Sequence, residues 1–255
     1  MSRPSGRVLV ALGASALLAS GALAAREPDW NPLDVLLAER VRPATLHGVA
    51  LNAVDYAALA TDPRLDAVIE QLQNFPLDQL ADRTEKLAFF INAYNVMTLE
   101  IVADHLPLES IKDIGSVFNP VWKKTAGRLG GRDVSLDDIE HRRLRKLGDP
   151  RIHMAIVCAS VSCPDLRTEA YRAARLDEQL DDQARRLLAN PGKGARSDGE
   201  DLEVSRIFDW FEDDFAVVGG VRAFIDRYRN VPPGADIDAD IPYDWRLNGS
   251  TGMSP

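Results

Sequence analysis

Cysteine and histidine are scarce in this chain of 255 residues, which contains two cysteines and four histidines. Both cysteines and two of the histidines fall within 23 positions, at His141, His153, Cys158 and Cys163. Two His and two Cys are the usual ligands of zinc, but a His-x11-His pair has no counterpart among the common zinc patterns. The spacing therefore argues against a metal site, and no cofactor is predicted.

The sequence also lacks a cluster of basic residues. Lysine and arginine are interleaved with acids, as in Glu140-His141-Arg142-Arg143, and the formal net charge is −9. A protein that binds nucleic acid needs a concentrated basic surface to neutralise phosphates. Nucleic acid is therefore excluded as a partner, whereas the composition leaves room for a small-molecule or peptide ligand.

The first two dozen residues have the pattern of a secretory signal peptide. Two arginines precede an apolar run from Val8 to Ala22, and Ala22-Leu23-Ala24 is the small-x-small sequence that signal peptidase cuts. The run is shorter than the roughly 20 residues that span a bilayer, and no cysteine near Ala25 could carry a lipid. We predict that residues 1–24 are removed, leaving a periplasmic or secreted protein without a stable membrane anchor.

The remaining residues 25–255 fit one domain, and a hydrophobic content of 45% can fill a sizeable core. The chain contains no internal repeat and no low-complexity tract. The predicted class is α+β, with a central buried helix and several surface helices packed on a small, mainly antiparallel sheet.

The strongest predicted element is a helix from Asp82 to His105. It opens with the capping-box spacing Asp82-x-x-Glu85, and apolar residues lie on nearly every face, so other elements must cover it. Glu85, Asn92 and Asn95 are polar residues of this helix that need hydrogen-bond partners. They either fix neighbouring loops, or orient a catalytic histidine and bind a substrate amide.

The positions of proline and glycine, and the spacing of apolar residues, predict the other segments. These are an extended or loosely helical arm over 26–52, two short helices between Asp62 and Leu80, a β-hairpin from Val121 to Ser135 that turns at Gly130-Gly131, a helix from Leu176 to Leu188, a strand over Leu202-Glu203-Val204, helices over Phe208 to Phe215 and Val221 to Tyr228, and a tail whose Tyr243-Asp244-Trp245 docks on the body.

A second capped helix is predicted after Ser135, ending at Gly148. At about 100° per residue, Glu140 lies on the apolar stripe of this helix and His141 lies on its flank. A buried carboxylate needs a paired charge or several N–H donors. Glu140 is therefore either half of a structural ion pair or part of a polar site.

The apolar run from Arg151 to Ala159 predicts a buried strand, followed by a serine-rich turn. Side chains alternate along a strand, so His153 and Cys158 would point to opposite faces. His141 is then the more suitable base for Cys158, unless Cys163 is the nucleophile.

The two cysteines have two alternative explanations besides a metal site. An exported chain enters an oxidising compartment, where Cys158 and Cys163 would normally form a disulfide. Alternatively, Cys158 is a nucleophile at the exit of the strand, and backbone N–H groups of the turn form an oxyanion hole.

The chain resembles the domain of unknown function numbered 547 (DUF547), which occurs in bacteria, nematodes and plants. The matching segments are Phe89-Phe90-Ile91-Asn92-Ala93-Tyr94-Asn95, the stretch from Ser135 to Arg145, Pro150-Arg151-Ile152-His153, the stretch from Cys158 to Leu166, and Tyr243-Asp244-Trp245. The resemblance implies shared positions but no reaction. A buried helix beside His and Cys is also similar, by analogy of fold alone, to papain-like and transglutaminase-like thiol enzymes.

The resulting hypothesis is a thiol-dependent hydrolase or transferase that acts on amide bonds of peptides or cell-wall fragments. Cys158 is the nucleophile, His141 the base, and Glu140 or Asn92 the orienting group. Ligand-binding roles fall to the remaining polar residues of the same regions, namely Glu85, Asn95, His153 and Cys163. The alternative is a non-catalytic binding domain with a structural disulfide, which holds a small polar ligand or a peptide.

Overall fold

A computed structural model describes residues 27–250. The predicted signal peptide lies outside the described residues. The α-helices of the described part are α1 (Asn31–Arg40), α2 (Tyr56–Leu59), α3 (Pro63–Asn74), α4 (Arg83–Asp104), α5 (Leu136–Ile139), α6 (Leu176–Leu188), α7 (Ile207–Trp210) and α8 (Gly220–Tyr228). Its strands are β1 (Val41–Leu46), β2 (Val49–Asp55), β3 (Thr125–Leu129), β4 (Arg132–Ser135), β5 (Ala195–Asp198), β6 (Asp201–Ser205), β7 (Ile237–Ile241) and β8 (Gly249–Ser250).

Helix α4 forms the centre of the fold, as the sequence predicts. Its capping box is present: the Asp82 side chain accepts the Glu85 N–H at 2.8 Å, and the Glu85 carboxylate accepts the Asp82 N–H at 3.4 Å. By length and composition α4 could cross a membrane, but 83% of its most apolar window is buried inside the protein. Its apolar faces are therefore covered by the other elements of the domain.

The predicted α+β class is confirmed, but the strands form three small sheets instead of one. The sheets have the orders β1-β2-β8, β3-β4 and β5-β6-β7. The pairs β1-β2, β3-β4 and β5-β6 are antiparallel hairpins, whereas β8 joins β2 and β7 joins β6 in parallel. Non-local parallel pairing brings the C-terminal segment back onto the body.

The N-terminal arm differs from the prediction. Residues 31–55 form α1 and the β1-β2 hairpin. Pro32 lies in the first turn of α1, where a missing N–H costs nothing, so it starts the helix and does not break it. His47 and Gly48 have φ values of 52° and 81°, which a two-residue hairpin turn requires. Two short helices were predicted between Asp62 and Leu80. The first is α3, and a short 3-10 turn over Leu77–Gln79 takes the place of the second.

Several downstream elements are confirmed. The β3-β4 hairpin turns at Gly130 and Gly131, and α6 has the predicted bounds. β6 and α8 lie where a strand and a helix were predicted. The predicted helix from Phe208 to Phe215 is divided into α7 and a 3-10 helix over Glu212–Val218.

The predicted strand from Arg151 to Ala159 is wrong. Pro150–Met154 is a 3-10 helix, because Asp149 caps the N–H of Arg151 and Pro150 provides a suitable first helical residue. Residues 155–159 form no strand, and the Asn95 side chain bonds to the backbone of Ala155 and Val157. The apolar run reflects burial on all sides, which a strand and a helical turn share. His153 and Cys158 therefore do not lie on one strand, and strand alternation does not set their relative orientation.

Candidate functional site

A cavity of about 300 Å³ lies where the large core around α4 meets the smaller core around α6, α7 and α8. Five of the eight predicted site residues line it, namely Glu140, His141, His153, Cys158 and Cys163. The other lining residues are Tyr94, Pro120, Trp122, Lys123, Asp137, Ile156, Pro164, Ile207, Trp210, Phe211, Tyr243 and Trp245. The scarce His and Cys residues, which are close in sequence, are thus enclosed together with side chains from remote segments.

Cys158 is the partly buried thiol of this cavity. Its sulfur lies 3.2 Å from Oγ of Ser160 and 3.2 Å from Oη of Tyr243. Burial raises the pKa of the thiol, but hydrogen bonds from Cys163, Ser160 and Tyr243 outweigh burial and lower the pKa to about 7. A large fraction of Cys158 is therefore thiolate near neutral pH, which is the nucleophilic form.

Cys163 is the second thiol and is fully enclosed. Both cysteines are free in the structure, so the expected disulfide is not formed. The Cys163 sulfur accepts the backbone N–H of Cys158 at 2.7 Å, and burial together with the neighbouring Cys158 raises the pKa of Cys163 well above its usual range. Of the two sulfurs, Cys158 is the one suited to nucleophilic attack.

The turn after Cys158 is sharp, and most of its N–H groups are already paired. Ala159 has a φ of 60°, a left-handed conformation that is uncommon for a residue with a Cβ. The N–H groups of Val161 and Ser162 donate to carbonyl oxygens of the C-terminal segment at 2.9 and 3.2 Å. They are not free to form the predicted oxyanion hole. The backbone of Ser160, by contrast, helps to lower the pKa of the Cys158 thiol.

His153 is buried and held in one orientation. Its Nε2 lies 2.8 Å from Oδ2 of Asp214, and its ring stacks on Phe211 with centroids 3.9 Å apart. A carboxylate can only accept, so Nε2 carries the proton and the lone pair of the neutral ring lies on Nδ1. Nδ1 has no hydrogen-bond partner among the described residues. Burial lowers the pKa of His153 more than Asp214 raises it, which keeps this lone pair available.

Asp214 is a site residue that the sequence analysis missed. It also accepts two hydrogen bonds from Arg145, at 2.6 and 2.9 Å, and the donors His153 and Arg145 hold its pKa well below the usual range. Asp214 therefore remains a carboxylate that fixes the histidine. It lies in an acidic run that looks like an exposed helix face, and 61 positions separate it from His153. No local pattern links the two.

Glu140 is buried, as its place on the apolar stripe predicts. The helix begun by α5 widens into a π-turn over Glu140–Leu144, a feature that is frequent at functional sites. Burial raises the pKa of Glu140 to about 7, and the Arg145 guanidinium only partly opposes the increase. Its Oε1 lies 4.0 Å from Nδ1 of His153, which is too long for a hydrogen bond.

His141 lines the cavity, but the ring nitrogen that faces Arg145 is occupied. Nδ1 lies 2.9 Å from a guanidinium nitrogen of Arg145, and Nε2 lies 3.5 Å from Oδ1 of Asp137. Arginine can only donate, so the lone pair of the neutral ring is on Nδ1 and Arg145 occupies it. His141 is therefore a poor candidate for the base that the sequence assigned to it.

The three polar residues of α4 lie outside the cavity. Glu85 completes the capping box, and Asn92 forms two hydrogen bonds with the backbone of Tyr171, at 2.8 and 2.9 Å. Asn95 donates to the Ala155 carbonyl at 3.0 Å and accepts the Val157 N–H at 2.9 Å. Asn95 thus supports the segment that ends at Cys158, whereas Asn92 supports a remote loop.

The C-terminal segment docks on the body, as predicted, and closes one side of the cavity. Tyr243 contacts Trp245 and Trp210, with ring centroids 4.6 and 4.8 Å apart. Its hydroxyl is the group that contacts the Cys158 sulfur. The aromatic pair was visible in the sequence, but its contact with a thiol 85 positions away was not.

Residues 77–188 match the family model described as Protein of unknown function, DUF547, which confirms the resemblance noted in the sequence. The match covers less than half of the chain. No curated protein and no solved structure matches the chain.

The DUF547 match contains the thiols, Glu140 and both histidines of the cavity. Tyr243, which lines the cavity, and Asp214, which bonds to His153, lie beyond the C-terminal end of the match. The cavity is therefore completed by residues outside the matched segment. Within residues 27–250, no group of three or more His, Cys, Asp or Glu side chains is placed to hold a metal ion.

Proposed function

We propose that this protein is a thiol-dependent hydrolase or transferase in which Cys158 is the nucleophile, His153 the base and Asp214 the orienting group. One observation carries the proposal. A single cavity is lined by a thiol of lowered pKa and by a histidine whose Nε2 is held by a carboxylate and whose Nδ1 is unpaired. Nucleophile, base and orienting group are the three parts that cysteine hydrolysis requires.

The base therefore differs from the one that the sequence indicated. Arg145 occupies the Nδ1 lone pair of His141, whereas His153 has a lone pair to receive a proton. Glu140, with a pKa raised to about 7, is partly protonated at neutral pH and lies 4.0 Å from that lone pair. It is a second group that can exchange a proton with the histidine.

The proposed reaction has two steps. The Cys158 thiolate attacks the carbonyl carbon of an amide, its proton having passed to His153. The C–N bond breaks as His153 returns that proton to the leaving amine, and a thioester on Cys158 remains. Water, or the amine of an acceptor, then attacks the thioester and releases the acid or a new amide together with the thiol. The Tyr243 hydroxyl beside the sulfur can donate to the carbonyl oxygen as it becomes negative.

The substrates proposed are peptides or cell-wall fragments met outside the cytoplasm. Support comes from the signal-peptide pattern of residues 1–24 and from the acidic composition. N-terminal sequencing of the protein recovered from the natural host tests the location, with Ala25 expected as the first residue. Recovery with residues 1–24 still attached would contradict it.

Alkylation of the unreduced protein by iodoacetamide between pH 5 and pH 9 tests the nucleophile. We expect one rapidly modified cysteine, with a midpoint near pH 7, that is lost in Cys158→Ser and retained in Cys163→Ser. A protein that reacts only after reductant is added would instead contain the disulfide of the non-catalytic binding domain.

A further inference from the structure

Three of the four tryptophans of the chain line the cavity. Trp122, Trp210 and Trp245, together with Tyr243, form a continuous surface that we call the aromatic wall. Trp245 is central to it, since its ring centroid lies 5.6 Å from Trp122, 5.8 Å from Trp210 and 4.6 Å from Tyr243. These rings come from three separate segments of the chain, so the fold assembles the wall.

One residue of the aromatic wall, Tyr243, contacts the Cys158 sulfur, which is the proposed reacting atom. Oη of Tyr243 lies 3.2 Å from the Cys158 sulfur, and the Tyr243 ring packs against Trp210 and Trp245. A group bonded to that sulfur therefore enters space bounded by these rings. In the reaction proposed above, the group that stays on sulfur is the acyl part of the substrate.

The wall retains exposed apolar surface. Trp210 is 44% exposed, although burial of a large aromatic side chain is favourable. Apolar walls with a few placed polar groups are typical of small-molecule sites. Lys123 follows Trp122 at one edge of the wall, and the acidic and histidine lining comes from other elements, with Asp137 and Glu140 on α5 and the turn that follows it, and His153 on the 3-10 helix. The leaving amine must lie near His153, because His153 returns the proton to it.

We infer that the acyl group of the substrate is uncharged and apolar, either an aromatic ring or a short hydrocarbon chain, and that it lies on the aromatic wall. This inference rests on the proposed function, since it assumes that Cys158 carries the acyl group. A cavity of about 150 Å³ holds one benzene ring. The cavity of about 300 Å³ can therefore hold a group of phenyl size together with the reacting carbonyl and the first atoms of the leaving group.

Alkylation of Cys158 by a series of iodoacetyl reagents tests the inference without a known substrate. The reagents are iodoacetate, iodoacetamide, N-phenyliodoacetamide and N-benzyliodoacetamide, and each rate is divided by the rate with free glutathione to remove intrinsic reactivity. We expect the two aryl reagents to be favoured about tenfold or more over iodoacetamide, and iodoacetate to be the slowest.

Substitutions in the aromatic wall test whether the wall causes the preference for aryl reagents. Trp210→Ala and Trp245→Ala should remove most of it, and Trp210→Phe should keep part of it. Phe118→Ala is the matched control, because Phe118 is 98% exposed and does not line the cavity. Normalised rates within about twofold of one another, or a preference that survives both alanine variants, would overturn the inference while leaving the proposed function intact. A Cys158 that reacts with none of the reagents would overturn both.

Discussion

Nε2 of His153 and Oδ2 of Asp214 lie 2.8 Å apart, joining a buried ring to a carboxylate from another part of the chain. The carboxylate fixes the tautomer that leaves Nδ1 as the basic nitrogen. It also raises the pKa of a ring whose pKa is lowered by burial. Asp214 therefore sets both the orientation and the basicity of the proposed base.

Asp214→Asn should reduce thioester formation on Cys158 by about 10²- to 10⁴-fold, because the ring loses its orienting charge. The measurement is the rate of nitrophenolate release from p-nitrophenyl acetate across pH 5–9. Asp213→Asn is the control, since the neighbouring carboxylate does not bond to His153. Equal rates in Asp214→Asn and the unchanged protein would remove Asp214 from the mechanism.

Tyr243→Phe removes a hydroxyl that lowers the pKa of the Cys158 thiol. The midpoint of Cys158 alkylation should move upward from near pH 7 by about one pH unit, the effect of losing one hydrogen bond to a charged group. Tyr228→Phe, which loses a hydroxyl bonded to Asp181 away from the cavity, should leave the midpoint unchanged. An unshifted midpoint in Tyr243→Phe would show that the tyrosine does not stabilise the thiolate.

Glu140→Gln tests the raised pKa of the buried carboxyl. The folded-state pKa of about 7 lies above the usual value of about 4.3, so the folded chain binds more protons than the unfolded chain between these values. Stability therefore falls as the pH rises through this window. Glu140→Gln has no carboxyl to ionise, so its unfolding free energy lacks this loss at high pH. The difference in unfolding free energy, variant minus unchanged protein, should be roughly 2 kcal/mol more favourable at pH 8 than at pH 5.

Urea unfolding at the two pH values measures this difference. Glu100→Gln provides a comparison, because burial also raises the pKa of Glu100 to about 7, at a place outside the cavity. It should show the same sign of pH dependence but leave Cys158 alkylation unchanged. A Glu140→Gln protein whose relative stability is the same at both pH values would place Glu140 in solvent.

Asn95→Ala and Asn92→Ala form a matched pair on α4. Each variant loses two buried hydrogen bonds to backbone groups, so each should lose about 1–3 kcal/mol of unfolding free energy. Only Asn95 holds the segment that leads to Cys158, so only Asn95→Ala should slow its alkylation. Equal alkylation rates in the two folded variants would show that the segment is positioned without Asn95.

The elements that could be predicted from sequence are those governed by local rules. The capping box of α4, the turn of the β3-β4 hairpin and the burial of Glu140 follow from spacing over a few residues. The 3-10 helix at Pro150 was missed because an apolar run indicates burial and not conformation.

The composition of the site was only partly predictable. The rare His141, His153, Cys158 and Cys163, which the sequence grouped together, line one cavity. The partners that determine their chemistry are far away in sequence, at 61 positions from His153 to Asp214 and 85 from Cys158 to Tyr243. Side-chain alternation along the predicted strand favoured His141 over His153 as the base. His153 lies on a helical turn and not on a strand, so this alternation does not apply to it.

The central claim is that Cys158 forms a covalent acyl intermediate with the help of His153. Mass spectrometry of the protein mixed with p-nitrophenyl acetate tests it most directly. We predict one acetyl group on Cys158, formed with a burst of about one nitrophenolate per chain and slowed strongly in His153→Asn but not in His141→Asn. Acetyl groups that are absent, or scattered over lysines to the same extent in Cys158→Ser, would contradict the account.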